Sequence, residues 1–288
     1  VRSKAQLEGV DAVALDEWHV VAAVESLPIG VGFDVGLLGA RVVLERAADG
    51  TITARRDDGV LPAFQRFGYV WTTLGAPRRE LFEIAEVAEP DRRNLHTASL
   101  GVHVSAPRAI ENFLDLGHFP FVHPGLLGSE PYTEVKPYDV TVTFEGGVTA
   151  TRCRFYQPRS AAFATEGFEV EYVYRVPHPY CSVLYKRNPE FTERMDVIAL
   201  FVQPVTEERI RAHLFVSLLD RVSTDAEIRS FQQTIFAQDK PILENQRPKR
   251  LPLDPHAELP TRADASSLAY RSWLRDRDVR YGTIPADR

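Results

Sequence analysis

Short runs rich in β-branched and aromatic residues, separated by Gly, Asp and Pro, recur along most of the chain and predict strands. "WHVVAAV" (18–24), "RVVLER" (41–46), "TITARR" (51–56) and "GYVWTTL" (68–74) form a first set, and "RAADGT" around Gly50 has the composition of a hairpin turn. A longer set follows: "TASLGVHV" (97–104), "DVTVTF" (139–144), "VTATRCRFY" (148–156), "FEVEYVYRV" (168–176), "CSVLYK" (181–186), "DVIALFVQPV" (196–205) and "IRAHLFVSLL" (210–219). Consecutive strands joined by short turns argue for an antiparallel sheet.

Three stretches instead carry helical periodicity. The first begins near Pro107, a good first-turn residue, and should end by about Pro120. Its apolar stripe is Ile110, Phe113, Leu114 and Gly117, with His118 on the edge and Asp115 beside it one turn earlier. The second opens on "TDAE", a capping-box pattern of Thr224 with Glu227, and runs to the neighbourhood of Asp239, where Pro241 should kink or stop it. Ile228, Phe231, Ile235 and Ile242 mark its apolar stripe. The third spans roughly Arg262 to Arg275 and reads as a surface or packing element. The expected architecture is α+β, a large antiparallel sheet with helices on one side.

Composition narrows the function classes more than the fold. A chain of 288 residues, 44% hydrophobic and 26% charged, is an ordinary globular protein with room for a substantial core. Net charge is −6, and the basic clusters "RPKR" and "RSWLRDRDVR" are short or interrupted by aspartates, so no nucleic-acid partner is expected. No apolar run reaches the ~20 residues of a membrane helix, and "VRSKAQLEGVD" lacks a signal peptide's apolar core. The start on Val1 reads as trimmed. The only cysteines, Cys153 and Cys181, have no CxxC spacing and no histidine at metal-ligand distance, which points to a reducing cytoplasm.

Candidate chemistry concentrates in "ENFLDLGHFPFVHPGLLG" (111–128), where His118 and His123 stand five positions apart in an apolar run and Asp115 precedes the first by three. A metal-bound imidazole commonly donates its other N–H to a carboxylate. The plain alternative is a pair of core histidines, each bonded to a carbonyl or carboxylate. Asp239 falls in the middle of the second helix's apolar stripe, where an ionised carboxylate is costly unless paired or metal-bound. It could instead meet a buried Arg or Lys, or gain exposure from a kink at Pro241. Two histidines and one carboxylate on facing elements would make the facial triad of non-haem Fe(II) oxygenases. There is no HExxH, GxSxG, GxGxxG or P-loop. His256 with Glu258 is the nearest imitation of an HxD pair, and no histidine follows it. His19, His96, His103, His178 and His213 read as structural.

These residues match a known pattern. "ENFLDLGHFPFVH" resembles the N-x-x-D-x-x-H-x4-H signature of Rieske non-haem iron oxygenase α subunits, and "QDKPILENQ" (238–246) resembles their third-ligand helix. The resemblance implies that His118, His123 and Asp239 bind a mononuclear Fe(II). It implies that Asp115 links the iron site to an incoming electron donor and that Asn112 approaches the substrate. It also implies a helix-grip (START-like) catalytic domain over 79–288. "EWHVVAAVESLPIG", "LLGARVVLERAADGTITARRD" and "FGYVWTTLG" resemble the strands of a Rieske domain, expected over 1–78. The cluster-binding CxH and CxxH pairs should lie between Arg56 and Phe67, where this chain reads only "DDGVLPAFQR". A Rieske [2Fe–2S] centre needs two Cys and two His, and before residue 96 this half has no cysteine and only His19. The expectation is a degenerate Rieske-like β domain without its cluster.

"RAIENFLD", "HFPFVH", "EPYTEVKPYDV", "FQQTIF", "PKRLPL" and "YRSWLR" are similar to the cluster-lacking oxygenase subunits of bacterial methylxanthine N-demethylase systems, and the likeness runs over nearly the whole chain. It implies hydroxylation of an N-methyl group with O₂, followed by loss of formaldehyde. Electrons would come from NAD(P)H through a reductase carrying an extra Rieske domain. A trimeric core is implied, with a glutathione-transferase-like structural subunit or a paralogous oxygenase subunit as further partners. The residues leave open a non-catalytic binding or structural subunit, and an O-demethylase or ring hydroxylase of another small aromatic. An aromatic-rich chain suits a flat apolar ligand with few polar anchors, for which Asn112 and Gln203 are candidates.

Overall fold

The computed structural model describes residues 7, 9–191 and 193–286. After a single-turn helix α1 (Ala12–Leu15) come β1 (His19–Ala23), β2 (Phe33–Leu37), β3 (Ala40–Arg46), β4 (Ile52–Arg56), β5 (Gly59–Leu61), β6 (Ala63–Arg66) and β7 (Tyr69–Thr72). They form two small antiparallel sheets, ordered β2-β3-β4-β5 and β1-β7-β6. The β3–β4 hairpin turns at Gly50, whose φ of +88° lies in the left-handed region that glycine enters without a Cβ penalty. Where cluster-binding loops are expected, residues 57–66 supply β5 and β6.

The larger sheet has seven strands: β8 (Arg93–Val102), β9 (Asp139–Thr143), β10 (Gly147–Gln157), β11 (Phe168–His178), β12 (Cys181–Arg187), β13 (Met195–Thr206) and β14 (Arg209–Leu218). Their order is β8-β14-β13-β12-β11-β10-β9, with every pairing antiparallel. The period-2 alternation of strands divides its two faces. Val197, Ala199 and Phe201 of β13 pack with Tyr69 and Trp71 of the N-terminal sheets. Ile198, Leu200 and Val202 face the other way, toward the helices. Two further short strands, β15 (Leu251–Pro252) and β16 (Thr283–Ile284), pair in parallel.

Helix α2 (Ala106–Leu114) packs on β12 and β13, α4 (Asp225–Asn245) lies along β8, and α5 (Ala265–Asp276) covers β9 and β10. A single turn, α3 (Phe119–Val122), follows α2. Two helix boundaries differ from the expected ones. Helix α2 stops at Leu114 rather than near Pro120, because Asp115 turns extended (φ −80°, ψ 124°) and its Oδ1 accepts the Gly117 N–H at 2.7 Å. This is the competition with helical bonding that short polar side chains offer. His118 therefore sits at the N-terminus of α3, and Pro120 begins that turn instead of ending a helix.

Helix α4 opens on the expected capping box, Thr224 with Glu227, and then runs through Pro241 to Asn245. The carbonyl deprived of its partner belongs to Ala237, an exposed residue, and burial of Leu243 anchors the turn beyond. The buried stripe is Ile228, Phe231, Phe236, Asp239 and Leu243; Ile242, placed on that stripe by its spacing, is 43% exposed. Helix α5 is a packing element, with Tyr270, Trp273 and Leu274 fully buried. Among the described residues no helix is long and apolar enough to cross a membrane.

Candidate metal centre

Three side chains converge between α3 and α4. The Nε2 atoms of His118 and His123 face each other at 3.1 Å, and each points at Asp239 Oδ1, at 3.3 and 3.1 Å respectively. His123 and Asp239 are buried and His118 is half-buried. Each imidazole is held from behind. His118 Nδ1 donates to Asp115 Oδ2 (3.1 Å) and His123 Nδ1 donates to Gln238 Oε1 (2.9 Å). Asn112 Nδ2 donates to Asp239 Oδ1 at 3.2 Å.

The donor set fits a divalent cation. A carboxylate only accepts, so the Asp115 bond places the His118 proton on Nδ1, and the Gln238 oxygen does the same for His123. In neutral rings both Nε2 atoms are then lone pairs, aimed at each other and at a carboxylate oxygen. A cation between them turns that repulsion into ligation. Adjacent donors on one face of an octahedral centre with bonds of about 2.2 Å lie about 3.1 Å apart, and the observed edges of 3.1, 3.1 and 3.3 Å are close to that. The ring N–H groups bonded to Asp115 and Gln238 are the usual outer support of metal-bound histidines.

Without a cation the trio settles its charges through protons. Burial pulls His118 down, but hydrogen bonds and charges from Asp115 and Asp239 outweigh it and raise its pKa to about 9. Burial pushes Asp239 up, and His118 and His123 together outweigh it and hold it at about 2. A histidine raised above its free value of 6.5 contributes stability that is complete below that pH and lost as pH rises through about 9. The Asp239 contribution is present above its free value of 3.8 and lost as pH falls toward 2. Metal-free protein is therefore expected to lose up to ~3 kcal/mol of stability between neutral pH and pH ~9. Metal affinity should rise over the same span, since ligation needs the neutral ring. Denaturant titrations of stripped protein check this, and a flat profile would remove the imidazolium–carboxylate assignment.

The short turn carrying both histidines is wedged by Gly128. A Cβ there would lie 2.6 Å from Pro120 N and 2.8 Å from the Phe119 carbonyl carbon, both backbone atoms. Gly128→Ala should cost ~1–3 kcal/mol of stability by overpacking and weaken divalent-metal binding roughly 10-fold by displacing the candidate ligands. Thermal melts and metal titrations read the two effects, and wild-type behaviour in both would show that the turn yields freely.

Of the expected site residues, the structure gathers Asn112, Asp115, His118, His123 and Asp239. It does not bring Gln203 to them. Gln203 is 2% exposed and belongs to a chain of bonds that links the N-terminal part to the seven-stranded sheet. Its Nε2 donates to Gly36 O (2.7 Å), so its oxygen accepts from His213 Nε2 (3.1 Å). His213 Nδ1 accepts from Ser99, whose oxygen accepts from His96, which in turn meets Glu25. Glu258, half of the HxD imitation, belongs to a different network, bonding Arg108 and Arg271, which Glu111 also joins. That network walls a surface groove reached by Asp115 and Asn112. Gln238 was missed by sequence reasoning; its position next to Asp239 on the helix was the available signal.

A seven-stranded antiparallel sheet, with a long helix across it carrying a carboxylate toward two histidines, is the build of an oxygenase catalytic domain. Residues 102–277 match the vanillate O-demethylase oxygenase C-terminal domain, and the chain belongs to that family within the Rieske oxygenases. It is 44% identical over 276 residues to the probable methylxanthine N7-demethylase NdmC of Pseudomonas sp. (strain TJI-51), covering 95% of this chain and 98% of that one. Among solved structures, NdmB of Pseudomonas putida CBB5 has the same fold, with a TM-score of 0.74 at 18% identity over 95% of each chain. NdmA of the same strain, with caffeine, gives 0.72 at 20% identity over 90% of this chain and 89% of that one. The protein is an oxygenase enzyme, as its motifs led one to expect.

Proposed function

We propose that this chain is the terminal oxygenase subunit of an N-demethylase acting on a methylxanthine, with His118, His123 and Asp239 holding Fe(II). The observation that carries the reading is the triangle of two Nε2 lone pairs and one carboxylate oxygen. When bound there, Fe(II) would supply the activation of O₂. One oxygen atom enters a C–H bond of the N-methyl group and the other leaves as water, which consumes two electrons and two protons. The resulting N-hydroxymethyl group breaks its C–N bond, giving N–H and formaldehyde. Asp239 and the two imidazoles would hold the metal, and Asp115 and Gln238 keep both ring protons on Nδ1. Residues 79–288 form the catalytic unit in this reading, and residues 1–78 a Rieske-like unit that holds no cluster.

With no cluster ligands between Arg56 and Phe67, the electrons must come from another polypeptide. A reductase with an additional Rieske domain is the donor we propose, with a trimeric core and a cytoplasmic site of action. The groove lined by Asp115 and Asn112 is the docking surface in this reading, since Asp115 also bonds His118. The test is metal analysis combined with turnover of 7-methylxanthine, read as formaldehyde. About one iron per chain, no acid-labile sulfide, and activity only with a Rieske-bearing reductase are expected. Activity with a plain flavin–ferredoxin reductase would overturn the electron route. Iron without turnover of any N-methyl purine would leave an O-demethylase or ring hydroxylase.

A further inference from the structure

A cavity opens in front of the three converging side chains. Phe113, Phe119, Leu184, Ile198, Ile235 and Phe236 make much of its wall apolar. A polar group left without a partner on such a wall is therefore informative. Gln157 is one. It is the last residue of β10, where strand alternation puts Cys153, Phe155 and Gln157 on the inward face. It is 1% exposed, and neither its Oε1 nor its Nε2 has a hydrogen-bond partner among the described residues. Tyr172, on the adjoining strand, lines the same cavity and adds a hydroxyl that is buried and unpartnered. Of the other polar side chains on this wall, Lys186 donates to the Ser160 carbonyl and Asn112 to Asp239.

Buried polar groups are nearly always satisfied, so an amide with both ends free is built to meet something that enters. A carboxamide presents one acceptor and one donor side by side. A ring lactam, with N–H next to C=O, presents the inverse pair, and the two close a pair of parallel hydrogen bonds. We propose that Gln157 is the residue that selects substrate by its unmethylated lactam edge, with the Tyr172 hydroxyl as a further polar contact. The ligand class is a flat heterocycle with a free lactam on one edge and its N-methyl group on the edge facing His118, His123 and Asp239. This rests on the reading of the cavity as the substrate site made above. A lactam nitrogen that carries a methyl group leaves the Gln157 oxygen unpaired, so the same contact rejects over-methylated rings.

The test uses full-length, iron-loaded protein and two ligand pairs measured by calorimetry. One pair is 7-methylxanthine and caffeine; the other is quinazoline-2,4-dione and its 1,3-dimethyl derivative. Wild type should favour the N–H member of each pair by roughly 10- to 100-fold. Gln157→Leu, and Gln157→Met as a closer match in length, should abolish that preference at unchanged iron content. No preference in wild type for either pair, no binding of any of the four ligands, or a preference that survives both substitutions would overturn the inference. A lactam preference lost on substitution, in a protein that demethylates no methylxanthine, would uphold Gln157 and overturn the proposed function instead.

Discussion

Asp239→Ala is expected to yield a folded protein that retains no iron and no turnover. The carboxylate is the only anionic donor in the trio, and both imidazoles aim their free nitrogens at its Oδ1. Without it, the remaining ligand atoms are two neutral ring nitrogens, and none carries charge to offset a divalent cation. Loss of an outer hydrogen bond to a ligand typically costs 10- to 100-fold in metal affinity, and removal of the ligand itself should go well beyond that. The fold should survive because α4 is held by its capping box and by Ile228, Phe236 and Leu243, none of which depends on Asp239. Metal analysis after anaerobic reconstitution, with circular dichroism as the folding control, measures both halves of the expectation. His118→Ala and His123→Ala should behave alike. Full iron retention in Asp239→Ala would sink the three-ligand assignment.

Asp115→Asn should leave substrate affinity intact, lower iron affinity modestly and slow turnover far more. Asp115 spends one oxygen on the Gly117 N–H and the other on His118 Nδ1. An asparagine has one oxygen for those two donors, so one bond is lost and the His118 tautomer is no longer enforced. That alone predicts roughly a 10-fold weaker metal site. The larger effect follows from exposure. The Asp115 carboxylate is part-exposed at the groove, so it can accept from a ring N–H of a docked donor while it orients His118. Asn breaks that bridge, and multiple turnover with a Rieske-bearing reductase should fall by roughly 100-fold or more. Single-turnover oxidation at saturating iron, with electrons supplied chemically, should suffer much less. Wild-type turnover by the variant would rule out the bridge.

Much of this was readable from residue order alone, for identifiable reasons. Strands β10, β11 and β13 announce themselves as sustained runs of β-branched and aromatic residues, whereas β8 starts at Arg93, ahead of the run predicted from Thr97. By contrast β2, β5 and β6 are too short for a pattern to separate them from loops. The end of α2 was misplaced because periodicity cannot register one carboxylate capturing an N–H two residues on. The turn of α4 beyond Pro241 depends on where Leu243 lands in a core built from distant strands. His118, His123 and Asp239 stood out because charge in an apolar stripe demands a partner. Glutamine gives no such signal. Gln203, Gln238 and Gln157 look alike in the sequence, yet one ties two sheets, one holds a histidine and one faces the cavity unpaired.

The bond chain from Glu25 through His96, Ser99, His213 and Gln203 to Gly36 has a consequence for grafting experiments. Its ends lie in the N-terminal part, Glu25 in the turn after β1 and Gly36 in β2, while its middle lies in β8, β13 and β14. Beside it, Tyr69 and Trp71 roof over Phe201 and Phe215. The first strands thus serve as the lid of the large sheet, a duty independent of electron carriage. Replacing them with a cluster-bearing half from a relative would strand His213 and Gln203 in an apolar interface unless the incoming half brought its own equivalents of Glu25 and the Gly36 carbonyl. A chimera that ignores this contact should fail at assembly before its redox chemistry is ever tried.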